Sequence, residues 1–256
     1  MTHWLVTFLC GALVGCTLGV IGGGGSILAV PLLLYAVGIQ DPHVAIGTSA
    51  LAVGANAAFN LVGHWRLGNV KPPCALTFAL AGVLGALLGS HLGKAVDGRK
   101  LLLLFSGAML SVGIALFRRR QEAGHPGVHI NPGIAARLMA LGFLTGGLAG
   151  FFGIGGGFLI VPGLMFGSGM TLLNAIGSSL FSVAAFGFAT AASYAWSNLI
   201  DWSVALVFIA GGAAGGMLGV RLATRLARRR QLLTRIFAVT VMLVAVYVAA
   251  RAITLR

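Results

Sequence analysis

The chain has 256 residues, of which 58% are apolar and only 8% charged, and its mean hydropathy is +1.00. An ordinary soluble domain carries roughly 25% charged residues, so a water-soluble globule is excluded. There are 17 Lys and Arg against four acids, Asp41, Asp97, Glu122 and Asp201, giving a formal charge of +13. The cations lie in short clusters between long apolar runs, which fits the loops of a polytopic membrane protein and excludes a nucleic-acid binder.

At about 20 apolar residues per crossing, the length allows about eight or nine spans and no soluble domain beside them. The first apolar segment covers residues 4–38. Within it, Leu13-Val14-Gly15-Cys16 mimics a lipoprotein cleavage box. Met1-Thr2-His3-Trp4 lacks the cations of a signal n-region and the chain stays apolar to Val37, so the segment reads as retained. Cys10, Cys16 and Cys74 form no metal-ligand or redox spacing and read as packing residues.

At about 35 residues the segment is too long for one ordinary span, and Gly22-Gly23-Gly24-Gly25 interrupts it. Each glycine costs a helix about 1 kcal/mol relative to alanine. Unwound backbone at membrane depth must be shielded by protein or line a cavity, so a non-helical turn is expected there, with a new half-helix from about Ser26. Segments 44–65, 73–95 and 101–117 follow. A polar stretch, 118–133, contains Arg118-Arg119-Arg120, Pro126 and Pro132 and reads as a linker. Beyond it lie 134–168, broken at Gly153-Ile154-Gly155-Gly156-Gly157 with a half-helix from about Phe158, then 172–198, 202–220 and 232–250.

The second half repeats the first. Gly11, Gly15, Gly19, Gly22, Gly24, Gly25, Val30 and Pro31 match Gly142, Gly146, Gly150, Gly153, Gly155, Gly156, Val161 and Pro162 at an offset of 131. After a slip of one, Ala45-Ile46-Gly47-Thr48-Ser49 matches Ala175-Ile176-Gly177-Ser178-Ser179, and Gly82, Gly85 and Gly89 match Gly212, Gly215 and Gly219. The expected fold is all-α, with two homologous transmembrane repeats, 1–117 and 134–256, joined by the linker.

Charge selects between two topologies. If all eight segments cross, Lys and Arg divide 8 to 9 between the faces. If each glycine-broken segment is a re-entrant hairpin, the repeats become inverted and the division is 12 to 5. The positive-inside rule favours the inverted arrangement. The two broken segments are then expected to meet near the midplane, as in secondary transporters.

A helix start offers unpaired N–H groups and partial positive charge, so two such starts aimed at one cavity would attract an anion. None of the four acids is placed mid-span to hold a cation. Gly24, Gly25 and Ser26 with Gly155, Gly156 and Gly157 are therefore the first candidate ligands. Thr48, Ser49, Ser178 and Ser179 can add hydroxyl donors, the competing reading being bonds back to the preceding turn. Asn56 and Asn60, four apart, share a helix face that should point to the bundle or the cavity. His64 continues that line and can carry a proton, although an interfacial histidine beside Trp65 and Arg66 is the favoured reading. Trp4, Trp65, Trp196 and Trp202 read as an aromatic belt.

Gly22-Gly23-Gly24-Gly25-Ser26 followed by Val30-Pro31, Gly153-Ile154-Gly155-Gly156-Gly157 followed by Val161-Pro162, and the Ala-Ile-Gly-Thr/Ser-Ser elements resemble the TauE/SafE family of membrane permeases. The resemblance covers nearly the whole chain. It implies a permease of the cell inner membrane for a small sulfur-containing oxyanion such as sulfite or an organosulfonate, working by alternating access. A metal-cation permease and a non-transport assembly factor are the alternatives. No nucleophile and base, His/Glu cluster or cofactor motif is present, so neither an enzyme, a cofactor nor a metal is expected. The expected partners are the anion, the lipid bilayer and, left open, further copies of the chain.

Overall fold

A computed structural model describes residues 2–118, 130–153, 157–225 and 230–254. Among them the chain is helical almost throughout. The long helices are α1 (Thr2–Ile21), α3 (Pro42–Arg66), α4 (Pro72–Ala95), α5 (Gly98–Arg118), α6 (Pro132–Phe152), α8 (Leu172–Trp196), α9 (Trp202–Arg225) and α10 (Arg230–Thr254). Helix starts follow local chemistry. Asp41 accepts from His43 N at 2.8 Å with Pro42 in the first helical turn, and Asn131 does the same for Ile134 N at 2.8 Å with Pro132. These side chains satisfy N–H groups that a helix start leaves open.

The glycine run after α1 is tightened rather than unwound. Gly22 has a left-handed φ of 72°, and Gly22–Leu28 form a 3-10 helix. One α turn, α2 (Ala29–Pro31), and a π-helical turn, Leu32–Val37, complete a return arm that ends at left-handed Gly38. The matching break after α6 also begins at a left-handed residue, Gly153 at φ 65°, and α7 (Gly157–Ser168) is its return helix.

Glycine contacts fix how the helices run. A Cβ on Gly11 would strike Phe208, on Gly15 Gly212, and on Gly19 Val220, so α1 and α9 are parallel. Helices α4 and α6 are parallel too, through Gly82 and Gly146, Gly85 and Phe143, and Gly93 and Phe151. In contrast α3 and α8 are antiparallel, with Gly47 on Tyr194, Gly54 on Gly187 and Gly177 on Asn69. So are α5 and α10, where Arg99 Nε donates to Ala252 O at 2.7 Å.

These registers define two ends of the bundle. Asp201 N–H donates to Thr48 Oγ1, so the start of α9, and with it that of α1, lies at the same end as the start of α3. The 35-residue stretch His3–Val37 therefore enters and leaves at the Asp201 end, and Gly25 folds back against Thr17 and Leu18. By the same reasoning α6 and α7 enter and leave at the opposite, Arg66 end. The return arms, Gly22–Leu28 and α7, pack against each other.

Lys and Arg divide accordingly. Arg66, Lys71, Arg118, Arg137, Arg221, Arg225, Arg230 and Arg235 belong to the Arg66 end, and Lys94, Arg99, Lys100 and Arg251 to the other. Trp4, Trp65, Trp196 and Trp202 are exposed near helix ends, as an aromatic belt requires. Cys10 and Cys74 are buried, and all three cysteines are free thiols. Most of the predicted linker lies outside the described residues.

Gly22 and Gly153, which open the two breaks, lie at different depths. Gly22 rests on Ile176 and Ser179 in the second turn of α8, and Gly153 on Ile46 in α3. Antiparallel pairing puts Ile46 level with the far end of α8, so the apices are roughly 25–30 Å apart along the helices at 1.5 Å per residue. Each apex overshoots the middle, and it is the return arms that cross.

Candidate functional site

The four hydroxyls of the matched Ala-Ile-Gly elements face partners in the other half of the chain. Ser49 Oγ lies 2.8 Å from Ile46 O and 2.9 Å from Gly153 O, so it serves both the preceding turn and the second apex. Ser179 Oγ donates to Ile176 O at 2.7 Å and accepts from Gly23 N at 3.1 Å. Thr48 Oγ1 accepts from Asp201 N at 3.0 Å and Ser178 Oγ from Lys71 N at 2.9 Å. Each thus engages a backbone group at an apex or an interhelical turn, where an unpaired N–H or C=O would be costly.

Gly24, Gly25 and Ser26 are buried inside the 3-10 helix, where Ser26 Oγ donates to Gly23 O at 2.8 Å. Gly157 opens α7. Gly155 and Gly156 lie outside the described residues. The arms that contain the two starts, Gly22–Leu28 and α7, pack against each other.

Asn56, Asn60 and His64 do come together. They form one row on α3, facing the seam where α1 packs on α9, with 0%, 2% and 1% of their surface exposed. Asn60 Nδ2 donates to Asn56 O at 2.9 Å and more weakly to Gly15 O at 3.4 Å. His64 Nε2 lies 3.0 Å from Gly19 O. A carbonyl only accepts, so Nε2 carries the hydrogen and Nδ1 is left to accept from Asn69 Nδ2 at 3.5 Å. The interfacial reading of His64 is corrected: helix α3 turns this residue inward, toward α1, while its neighbour Trp65 stays outside.

The row is incompletely satisfied. Among the described residues neither Nδ2 nor Oδ1 of Asn56 has a hydrogen-bond partner, and Asn60 Oδ1 has none. Cβ atoms on Gly212 and Gly216 of α9 would collide with these two amides. The amide tips thus lie on bare helix backbone.

Sequence reasoning missed the corresponding row on α8, though the offset of 130 leads to it. Phe186, Thr190 and Tyr194 stand where α3 has Asn56, Asn60 and His64. The Phe186 ring fills the space left by Gly82 and stacks on Phe78 with centroids 6.2 Å apart. Thr190 Oγ1, Tyr194 OH and Ser182 Oγ are buried without hydrogen-bond partners among the described residues.

The described carboxylates all sit at helix starts of the Asp201 end. Asp41 caps α3, Asp97 accepts from Arg99 N at 3.1 Å at the start of α5, and Asp201 caps α9. Burial pushes the Asp201 carboxyl up. A 2.6 Å bond from the Ser203 hydroxyl and bonds from the Val204 and Ser203 N–H groups outweigh that and hold it below the ordinary carboxylate range. Among the described residues no group of three or more His, Cys, Asp or Glu is placed to hold a metal.

Helical hairpins dipping from opposite ends, in a bundle with seven segments long and apolar enough to cross a bilayer, are the architecture of a multi-pass membrane transporter. Comparison with known proteins specifies it. The family described as Sulfite exporter TauE/SafE matches residues 7–248. A "Probable membrane transporter protein" of Xylella fastidiosa is 51% identical over 245 residues, covering 95% of this chain and 94% of the relative. Another, named YunE, of Bacillus subtilis is 25% identical, covering 81% of this chain and 84% of the relative. The chain belongs to the TauE/SafE family and is a multi-pass transporter of the cell membrane.

Proposed function

We propose that this protein is a secondary permease that moves a small sulfur-containing oxyanion, sulfite or an organosulfonate, by alternating access and without catalysis. The observation that carries this reading is the pair of hairpins with crossed return arms, set in an interior whose buried polar groups, among the described residues, are amides, hydroxyls and one imidazole. Such groups donate hydrogen bonds to an oxyanion without requiring a counter-ion. The three described carboxylates are engaged as caps, which disfavours a metal cation as cargo, and a static assembly factor has no need of paired hairpins with crossed return arms.

In this reading the chain is an inverted duplication, 1–117 and 134–256, and its positive Arg66 end faces the cytoplasm. Asn56 is the foremost ligand, because its Nδ2 donor is unused, and Asn60 joins it by turning Nδ2 from its weak 3.4 Å contact with Gly15 O toward the anion. The hydroxyls of Thr48, Ser49, Ser178 and Ser179 and the glycine backbone hold the apices in position around the path. His64 beside Asn69 is the candidate proton carrier.

The test is uptake of radiolabelled sulfite into proteoliposomes, with and without a pH gradient, and with sulfate, sulfoacetate and chloride as competitors. Saturable uptake reduced by sulfoacetate is expected. An absence of flux for every one of these anions would overturn the anion assignment.

A further inference from the structure

Two seams flank the central α3–α8 pair: α3 against the α1–α9 pair, and α8 against the α4–α6 pair. Both are tied near their ends. On α3 the ties are Thr48 to Asp201 N and His64 to Gly19 O, each at 3.0 Å. On α8 they are Ser178 to Lys71 N at 2.9 Å and Lys94 Nζ to Ser193 O at 3.0 Å.

The middles differ. Phe186 is keyed into the Gly82 position and stacked on Phe78, whose ring lies against Gly163 of α7. Separating that seam would bring aromatic rings into water. At the matching place on the other side, Asn56 and Asn60 touch the bare backbone of Gly212 and Gly216. There, among the described residues, an amide capable of four hydrogen bonds makes none with its side chain, and a second leaves its oxygen unused while its Nδ2 donates. Water entering this seam would satisfy all three dry atoms, and an oxyanion the Asn56 Nδ2 donor. The α8 row also leaves the Ser182, Thr190 and Tyr194 hydroxyls unpaired among the described residues, but only there does opening expose stacked rings, so the α3 seam is the less resisted.

We infer that the seam between α3 and the α1–α9 pair is the one that opens during transport, and that the Nδ2 donors of Asn56 and, once freed from Gly15 O, Asn60 are the groups it uncovers to the passing oxyanion. The α8 seam stays shut, so the two halves of the duplication divide the work into a moving side and a fixed side. The nature of the ligand rests on the permease reading; the opening does not.

The test uses the full chain in proteoliposomes, with Cys10, Cys16 and Cys74 replaced by alanine. Single cysteines at Asn56→Cys, Asn60→Cys, Phe186→Cys and Thr190→Cys are reacted with N-ethylmaleimide. All four positions are buried in the closed packing, so only opening exposes them. Reaction at 56 and 60 at least tenfold faster than at 186 and 190 is expected. Equal or reversed rates, or no reaction at any position, overturn the inference. Sulfoacetate, which does not attack maleimides as sulfite does, should slow labelling at 56. Fast labelling that sulfoacetate leaves unchanged would support the opening and count against the sulfonate assignment.

A second measurement leaves the amide row intact. A Cβ on Gly63 would lie 3.6 Å from the Cβ of Val220, within the range a disulfide spans. Oxidised Gly63→Cys/Val220→Cys protein should lose sulfoacetate flux and regain it on reduction. Flux that survives complete cross-linking overturns the inference.

Discussion

Helices α3 and α8 occupy matching places, run in opposite directions and cross glycine to glycine at Gly54 and Gly187, yet their inner rows have opposite chemistry. One carries two amides and an imidazole; the other carries a phenyl ring, a hydroxyl and a phenol. The backbone contacts around them are nearly interchangeable. A Cβ on Gly15 would fall on the Gly212 carbonyl as one on Gly146 would fall on that of Gly82. Scaffold and function are therefore separable here: glycines set the approach of the helices, and the residues between them determine what each seam does.

Breaking the shared scaffold should have the largest effect. Gly15→Val and Gly146→Val each drive a side chain into a rigid facing backbone, with an expected cost upwards of about 3 kcal/mol. Both should lose monodisperse protein in detergent size-exclusion chromatography. Normal assembly of either variant would show that the two seams are not equivalent.

The middles of the seams should respond in opposite directions. Phe186→Ala removes a stacked, fully buried ring and should destabilise by about 3–5 kcal/mol. Asn56→Leu removes an unpartnered amide and should be neutral or stabilising by up to about 2 kcal/mol while reducing flux. Thermal melts in detergent read both, and shifts of the same sign would erase the contrast.

The apex bonds sharpen it further. Ser179→Ala leaves Gly23 N–H without its partner and should cost about 1–3 kcal/mol. Ser49→Ala removes a donor from Gly153 O and should cost about 0.5–1.5 kcal/mol, since carbonyls tolerate under-satisfaction better. The order of the two melting shifts checks this.

The smallest effect belongs to a cap. Asp201→Ala should cost about 1 kcal/mol at neutral pH. The Asp201 carboxyl is held below its ordinary range in the folded protein, so its contribution is present above the unfolded carboxylate value and is lost as pH falls through the lowered one. The gap between wild type and Asp201→Ala should close on strong acidification. A gap that widens would contradict the cap.

Much of this architecture was readable from residues alone. The apolar segments and the glycine breaks at Gly22 and Gly153 fall where composition and spacing place them, and the charge division favoured hairpins. Spacing could not give depth. Gly22 and Gly153 each open a glycine-rich run, but how far each apex travels depends on the side chains it lands on, Ile176 and Ile46, more than a hundred residues away in the chain. The same limit applies to the hydroxyls. Thr48 and Ser178 look available in sequence because their partners, Asp201 N and Lys71 N, are backbone groups that leave no trace in residue identity. His64 reads as interfacial beside Trp65 and Arg66, and only the packing of α1 turns it inward.

The pairing of α1 with α9 also sets an order of assembly. Gly11 rests on Phe208, about 200 residues later in the chain, which a ribosome takes roughly 10–40 s to add at 5–20 residues per second. Throughout that interval the first hairpin stands in the bilayer with its glycine face uncovered, while Asn56 and Asn60 on α3 have no α9 to cover them. Newly made chains must therefore be sheltered by lipid, by the insertion machinery or by their own earlier helices. A chain truncated before Trp202 should accordingly be a preferred substrate for membrane quality-control proteases, whereas one that has completed α9 should not.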